Sequence, residues 1–258
     1  MNHNLLLTIA KYSIWEAIRD KFLIFIFTGV VVLFFLSLFI GELAIAEGVQ
    51  MQSAILASAL RLFSVFTMGL FVITSMIREF NDKGFELILS HPVPRSSYYF
   101  GKFTGFSVVA FLIAIMCTCC LLFYVPAVVT LVWSLSLFCE LLIIISLSLL
   151  CLFSFNSITI SFSVVIAFYI LSRSMEAIRL ISDSPIVASS SISYQFINKL
   201  LDMIAYITPD IYKFTQTDWL VYTSANINTD ILVVLGQTLI YVLFLSCVAL
   251  FDLYRKEL

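Results

Sequence analysis

Residue types that carry out catalysis are sparse in this chain, and their positions form no known catalytic pattern. Only two histidines occur, His3 and His91, so neither a histidine-based zinc motif nor a Ser-His-Asp set can be assembled. The aspartates all fall outside the hydrophobic segments or at their ends, which argues against an intramembrane aspartyl protease. The sequence therefore predicts a chain that is not an enzyme.

A nucleotide-binding loop of the common kind is also missing. Such a loop has the pattern G-x-x-x-x-G-K-[ST], in which backbone amides and the lysine hold the phosphates. The one Gly-Lys pair is Gly101-Lys102, but Ser96 stands at the first glycine position and Phe103 follows the lysine. We expect this chain to bind no cofactor of its own.

The six cysteines lie in apolar runs rather than in polar loops. The cluster Cys117-Thr118-Cys119-Cys120 contains the thiols that soft metals prefer. On one helix, however, neighbouring side chains point about 100° apart, so three thiols could not converge on one ion without other helices. We interpret the cysteines as reduced, packed thiols and predict no metal site.

The composition predicts a chain that is embedded in a lipid bilayer. Hydrophobic residues make up 62% and charged residues 12% of the 258 positions, whereas a globular domain carries roughly 25% charged residues. A membrane-spanning helix needs about 20 apolar residues. Six runs qualify or nearly qualify: 22–40, 54–77, 103–124, 131–152, 157–172 and 231–251. The sequence predicts an all-α integral membrane protein with six transmembrane helices, and its net charge of −2 argues against a nucleic-acid partner.

The distribution of lysine and arginine predicts the orientation of the spans. With the N-terminus inside, nine cations lie on the cytoplasmic side and four lie in the long external loop, while Arg61 falls inside a span. Both termini are therefore predicted in the cytoplasm. The predicted location is the plasma membrane, with a bacterial inner membrane as the expected case.

A single transmembrane domain of residues 1–258 is predicted, with distinct parts. Residues 1–21 form an interfacial amphipathic helix, because Leu7, Ala10 and Ile14 recur at helical spacing with charged residues elsewhere on the wheel. The other parts are spans one and two (22–77), a cytoplasmic segment (78–100), spans three to five (101–172), an external loop with short helices (173–230), and span six with its tail (231–258).

The segment between spans two and three is unusually polar for this chain. It begins at residue 78 and reads REFNDKGFELILSHPVPRSSYYFGK. Phe80, Gly84 and Leu87 share one helical face. Pro92 cannot continue that helix and forces a turn before the third span. We interpret the segment as a short docking helix between two spans, so that a force applied to it moves both.

This stretch resembles the signature of the ABC-2-type transporter permeases. The residues that carry the resemblance are Glu79, Gly84, Glu86, Leu89, Ser90, Pro92, Arg95, Gly101 and Lys102. Phe85 and Pro94 depart from it, since a small hydroxyl residue and Ser or Thr are common there. The segment ITPDIYKFT at 207–215 is similar to the branch associated with multicopper-enzyme maturation permeases.

The resemblance implies a type V exporter fold and the membrane subunit of an ATP-binding cassette (ABC) transporter. It implies two permease copies, identical or paralogous, and two copies of a separate ATPase subunit that holds ATP and Mg²⁺. It also implies that 78–92 is the coupling helix seated in that ATPase. The expected docking residues are Glu79, Phe80, Asp82, Gly84, Glu86, Leu87, Ser90, Pro92 and Arg95.

Two charged residues fall within predicted spans. Arg61 and Glu140 are predicted roughly 11 and 14 Å below the outer surface, at 1.5 Å per residue, where an unpaired charge costs on the order of 3 kcal/mol. We hypothesise that they form an ion pair, or that both face one polar cavity. Gly101 and Gly105 share one face of the third span and would permit close approach of another helix.

Two functions stay open at this point. The first is export of a hydrophobic or lipid-like substrate that the sequence does not identify. The second is transmission of ATPase movements to an external partner without moving a substrate, since the external loop is long. A self-powered secondary transporter would need paired ionisable residues near the midplane and an inverted repeat, and no repeat is visible.

Overall fold

The computed structural model describes residues 3–43, 48–82, 94–155, 157–183, 199, 201, 203–204, 208–221 and 227–255. Its α-helices are α1 (His3–Arg19), α2 (Phe22–Leu43), α3 (Gly48–Asn81), α4 (Arg95–Leu121), α5 (Ala127–Phe155), α6 (Ile158–Asp183), α7 (Asp218–Val221) and α8 (Ile227–Arg255). A 3₁₀ turn at Ile211–Lys213 precedes α7. Within the described ranges no β-strand occurs.

Six helices, α2 to α6 and α8, are long and apolar enough to cross a membrane. Within the described residues, the prediction of an all-α chain with six helices able to span a membrane is therefore confirmed. Two spans differ from their predicted bounds, because α3 already begins at Gly48 and α6 continues to Asp183. Arg173, which we counted in the external loop, thus lies inside a spanning helix. Its guanidinium is tolerated there because backbone carbonyls accept its hydrogen bonds, as described below.

Helix α5 is the centre of the bundle. It packs against α3, α4, α6 and α8, and most of its apolar side chains are buried. By contrast, α2 and α8 bury only a small part of their spans and present rows of Phe, Leu and Val to the outside. Exposed apolar rows on the outer helices are what a lipid environment requires. The arrangement thus places polar and charged side chains of α3, α5 and α6 in the protein interior.

Helix α1 lies against the start of α4. Two glycines of α4 permit this contact: Gly101 faces Ile9, and Gly105 faces Ala10 and Ser13. After α1 the chain turns sharply at Lys21, whose φ of 56° lies in the left-handed region. Helix α1 is therefore held close to the first span. We call the end of the bundle that carries α1, the end of α3 and the start of α4 the α1 end.

We expect Gly105→Ala to destabilise the protein by about 1–3 kcal/mol, the usual cost of overpacking. A Cβ atom at this position would lie 2.9 Å from the backbone oxygen of Ala10 and 2.7 Å from Ser13 Cβ, so α1 would have to move. Gly236→Ala is the matched control, because a Cβ there meets nothing within 4 Å. Unfolding by dodecyl sulfate in mixed micelles measures both variants. Equal stability of the two would contradict the close contact of α1 with α4.

Candidate functional site

A cluster of charged side chains joins three helices at the α1 end, and we call it the α1 cluster. Its members are Glu16 of α1, Asp20 in the turn after α1, Arg78 and Glu79 of α3, and Tyr98 and Lys102 of α4. Both helices that border the segment 82–94 therefore contribute to it. The cluster lies where the predicted docking segment leaves and re-enters the bundle.

Lys102 is the central cation of the α1 cluster. Its side chain is only 1% exposed, and Nζ lies 2.5 Å from a carboxylate oxygen of Glu79 and 3.8 Å from one of Glu16. The Tyr98 hydroxyl donates to the other Glu79 oxygen at 3.0 Å. The rings of Tyr12 and Phe106 lie within 6 Å of the ammonium group, a distance at which cation–π attraction acts. Lys102 thus links α4 to both α1 and α3.

Arg78 provides the second link between α1 and α3. Its guanidinium donates to Glu16 at 3.3 Å and also pairs with Asp20. Glu16 of α1 and Asp20 of the following turn therefore both face cations of the neighbouring helices. Unlike Lys102, Arg78 is partly exposed, so water screens its pairs and weakens them.

Two further docking candidates are also held within the chain. Arg95 Nη1 donates to the backbone oxygens of Leu253 at 2.8 Å and Tyr254 at 3.1 Å, near the end of α8. A cation there satisfies carbonyls that have no partner in the last helical turn. The Phe80 ring packs edge-on against Phe153 of α5. Force on residues 80 and 95 would therefore reach α5 and α8 directly.

The structure places the remaining docking candidates only in part. Asp82 is exposed in the turn that follows α3. Gly84, Glu86, Leu87, Ser90 and Pro92 lie outside the described residues. Glu79, expected as a docking residue, is instead engaged by Lys102 and Tyr98. Its influence on a partner would pass through these two side chains.

A second polar group lies deep among α3, α5 and α6, and we call it the interior cluster. Its members are Arg61, Ser136, Glu140, Tyr169, Arg173 and Thr215. Thr215 belongs to the segment before α7, and it is fully buried with a φ of 45°. Its hydroxyl donates to Glu140 at 2.9 Å, and its backbone N–H donates to Ser136 Oγ at 3.0 Å.

Two arginines hold the backbone of this segment. Arg61 donates to the oxygen of Thr215 at 3.2 Å, and Arg173 donates to the oxygens of Ile211 and Phe214, each at 2.8 Å. Non-helical backbone is tolerated at membrane depth only where protein groups satisfy it. Part of the predicted external loop therefore folds into the bundle. Beside it, the Asp210 carboxylate accepts a hydrogen bond from Lys213 and raises the pKa of that lysine.

Arg61 and Glu140 meet through a third residue. No ion pair within 4.0 Å joins them; instead Thr215 bridges them, accepting from Arg61 with its carbonyl and donating to Glu140 with its hydroxyl. Glu140 has no exposed surface and also interacts electrostatically with Arg173 and Tyr169. The sequence hypothesis paired the correct helices, but it missed the bridging threonine and the second arginine.

A scan against protein-family models finds no match, and no curated protein matches the chain.

Several residues of the two clusters were not found from the sequence. Tyr98 has the spacing of a membrane-interface anchor, yet it is buried beside Glu79. Thr215 and Arg173 were assigned to an external loop. The available signal was that Ile211, Phe214 and Thr215 recur at three- and four-residue steps, with Asp210 before and Lys213 between them, which is typical of a segment with one buried face. The partners of that face lie on helices distant in sequence.

Proposed function

We propose that this chain is the membrane subunit of an ATP-driven ABC exporter, with segment 78–92 as the site on which a separate ATPase subunit pushes. Two copies would face each other, and two ATPase subunits would supply ATP and Mg²⁺. The cargo is proposed to be hydrophobic or lipid-like. The resemblance of this segment to the ABC-2-type permeases supports the proposal, and so does the setting of the α1 cluster.

One observation carries the mechanical part of the proposal. The two helix ends that border the segment are fastened to one another and to α1 through Lys102 and Arg78. Arg95, at the start of α4, also binds the last carbonyls of α8. The buried Lys102–Glu79 pair resists separation, since losing one partner would strand the other charge. A displacement of the segment would therefore also move α1, α3, α4 and α8.

Co-purification tests the proposal. We expect a subunit with a G-x-x-x-x-G-K-[ST] loop to accompany the wild-type chain and to be lost from Asp82→Arg and Gly84→Trp. Both changes lie in the segment but outside the buried pairs. Glu42→Arg is the matched control, because Glu42 is an exposed acid at the other end of α2. Isolation of the chain without any ATPase, or retention of the ATPase by both variants, would overturn the proposal.

The second candidate function is the transmission of ATPase movements to an external partner. The contacts of α3 favour it. This helix carries Arg78 and Glu79 at one end and Arg61 in the interior, about 26 Å apart at 1.5 Å per residue. Movement of α3 would reach segment 211–215 through the Arg61 hydrogen bond. A reconstituted complex that hydrolyses ATP while no co-purified lipid or peptide crosses the vesicle membrane would favour this candidate over export.

A further inference from the structure

One face of α1 carries a groove of about 600 Å³, and all of its lining residues belong to α1. Its lining is mostly apolar and aromatic but includes two cations: Thr8, Lys11, Tyr12, Trp15, Glu16, Ile18 and Arg19. Tyr12 and Trp15 are each 60% exposed, although both are large aromatic residues. The buried side of the same helix is formed by Ala10, Ser13 and Ala17. Helix α1 therefore has an uncovered face.

The cations of this face are Lys11 and Arg19, and the two nearby acids, Glu16 and Asp20, also pair with cations of other helices. Glu16 lines the groove, but its carboxylate is paired with Arg78 and Lys102. Asp20 is paired with Arg78 and lies 3.9 Å from Arg19. Lys11 forms no ion pair with any described residue. The α1 cluster thus turns both acids towards its own cations, while Lys11 stays on the exposed face without an acidic partner among the described residues.

The position of α1 determines what covers this face. Helix α1 ends at Arg19, and the first spanning helix begins at Phe22. The two-residue turn between them keeps α1 at the level where the span enters the bilayer. A helix that presents aromatic and aliphatic residues together with lysine and arginine is suited to the headgroup region of a membrane. Cations at this level attract anionic lipids.

We propose that this face of α1 binds an anionic phospholipid of the surrounding bilayer. Lys11 and Arg19 contact the headgroup phosphates, and Trp15 and Ile18 lie against the upper acyl chains. The two cations are eight residues apart, or roughly 12 Å along the helix, with Trp15 between them. The site is independent of any ATPase or transported cargo, since it requires only that the α1 end of the bundle meets a membrane surface.

Tryptophan fluorescence offers a local test. The chain has three tryptophans, and Trp133 and Trp219 are at most 2% exposed, whereas Trp15 is open. The full chain is reconstituted in phosphatidylcholine vesicles that contain an equal mole fraction of either brominated phosphatidylglycerol or brominated phosphatidylcholine. Bromine quenches an indole that it contacts. Trp15→Phe supplies the background signal of the two buried tryptophans.

We expect the brominated anionic lipid to be enriched at Trp15 by about fivefold for one cation and by up to about thirtyfold for two. The preference should be lost in Lys11→Gln/Arg19→Gln and should weaken at high salt. Arg255→Gln is the matched control, because Arg255 is an exposed cation at the end of α8 and should leave the preference unchanged.

Three results would overturn this proposal. Equal quenching by the two brominated lipids would mean that the face does not select anionic headgroups. A preference that survives the double substitution would place the selecting cations elsewhere. Protection of Trp15 from both lipids would mean that a second copy of the chain or another protein covers the face. Since the substituted side chains are exposed, unchanged unfolding of the double variant would show that these outcomes report binding rather than misfolding.

Discussion

Replacing Lys102 by methionine is expected to lower the free energy of unfolding by about 3–5 kcal/mol, the usual cost of removing one partner of a buried ion pair. The ammonium group is 1% exposed and is the central cation between Glu79 and Glu16. Methionine has a similar length and no charge, so it would leave Glu79 buried beside Tyr98 without a cation. Unfolding by dodecyl sulfate in mixed micelles measures the loss.

Two further variants make the Lys102 prediction specific. Lys11→Met removes an exposed cation from the same region and should change stability by less than about 0.5 kcal/mol, as surface substitutions usually do. Lys102→Met/Glu79→Gln removes both charges and should recover most of the loss, while Glu16 keeps Arg78 as its partner. If Lys102→Met were as stable as Lys11→Met, the α1 cluster would not hold α1, α3 and α4 together as the proposed function requires.

The second large effect is expected at Glu140. Glu140→Gln keeps the shape of the side chain and an oxygen that can accept from Thr215, but it leaves Arg61 and Arg173 without their buried carboxylate. The expected destabilisation is again about 3–5 kcal/mol, measured by the same unfolding assay. Glu176→Gln is the matched control, because Glu176 is an exposed acid on α6.

The bridge through Thr215 predicts that Arg61 and Glu140 are energetically coupled. Arg61→Met alone should destabilise by losing the hydrogen bond to the Thr215 carbonyl. Combined with Glu140→Gln, it should cost at least about 1 kcal/mol less than the sum of the two single changes, because contacting residues deviate from additivity. Strict additivity would mean that the two charges act independently. Wild-type stability of Glu140→Gln would mean that the carboxyl is uncharged in its native setting.

The helical class of the chain and its long apolar helices could be predicted from the sequence alone. Six apolar runs of about bilayer length admit only helices that satisfy their own backbone, so the spans follow from local composition alone. The spacing of Leu7, Ala10 and Ile14 likewise marked α1 as amphipathic. Gly101 and Gly105 marked a surface where another helix could approach, because four-residue spacing places both on one face.

The partner of each buried polar residue depends on how the helices pack and could not be predicted. The approaching helix proved to be α1, and the partners of Lys102 come from positions 16 and 79. The Arg61–Glu140 hypothesis failed to anticipate Thr215, which is 154 residues from Arg61. Helical periodicity reports which face of a helix is polar. It carries no information about the distant segment that meets this face, since that contact is set by how helices pack and by where a loop folds back into the bundle.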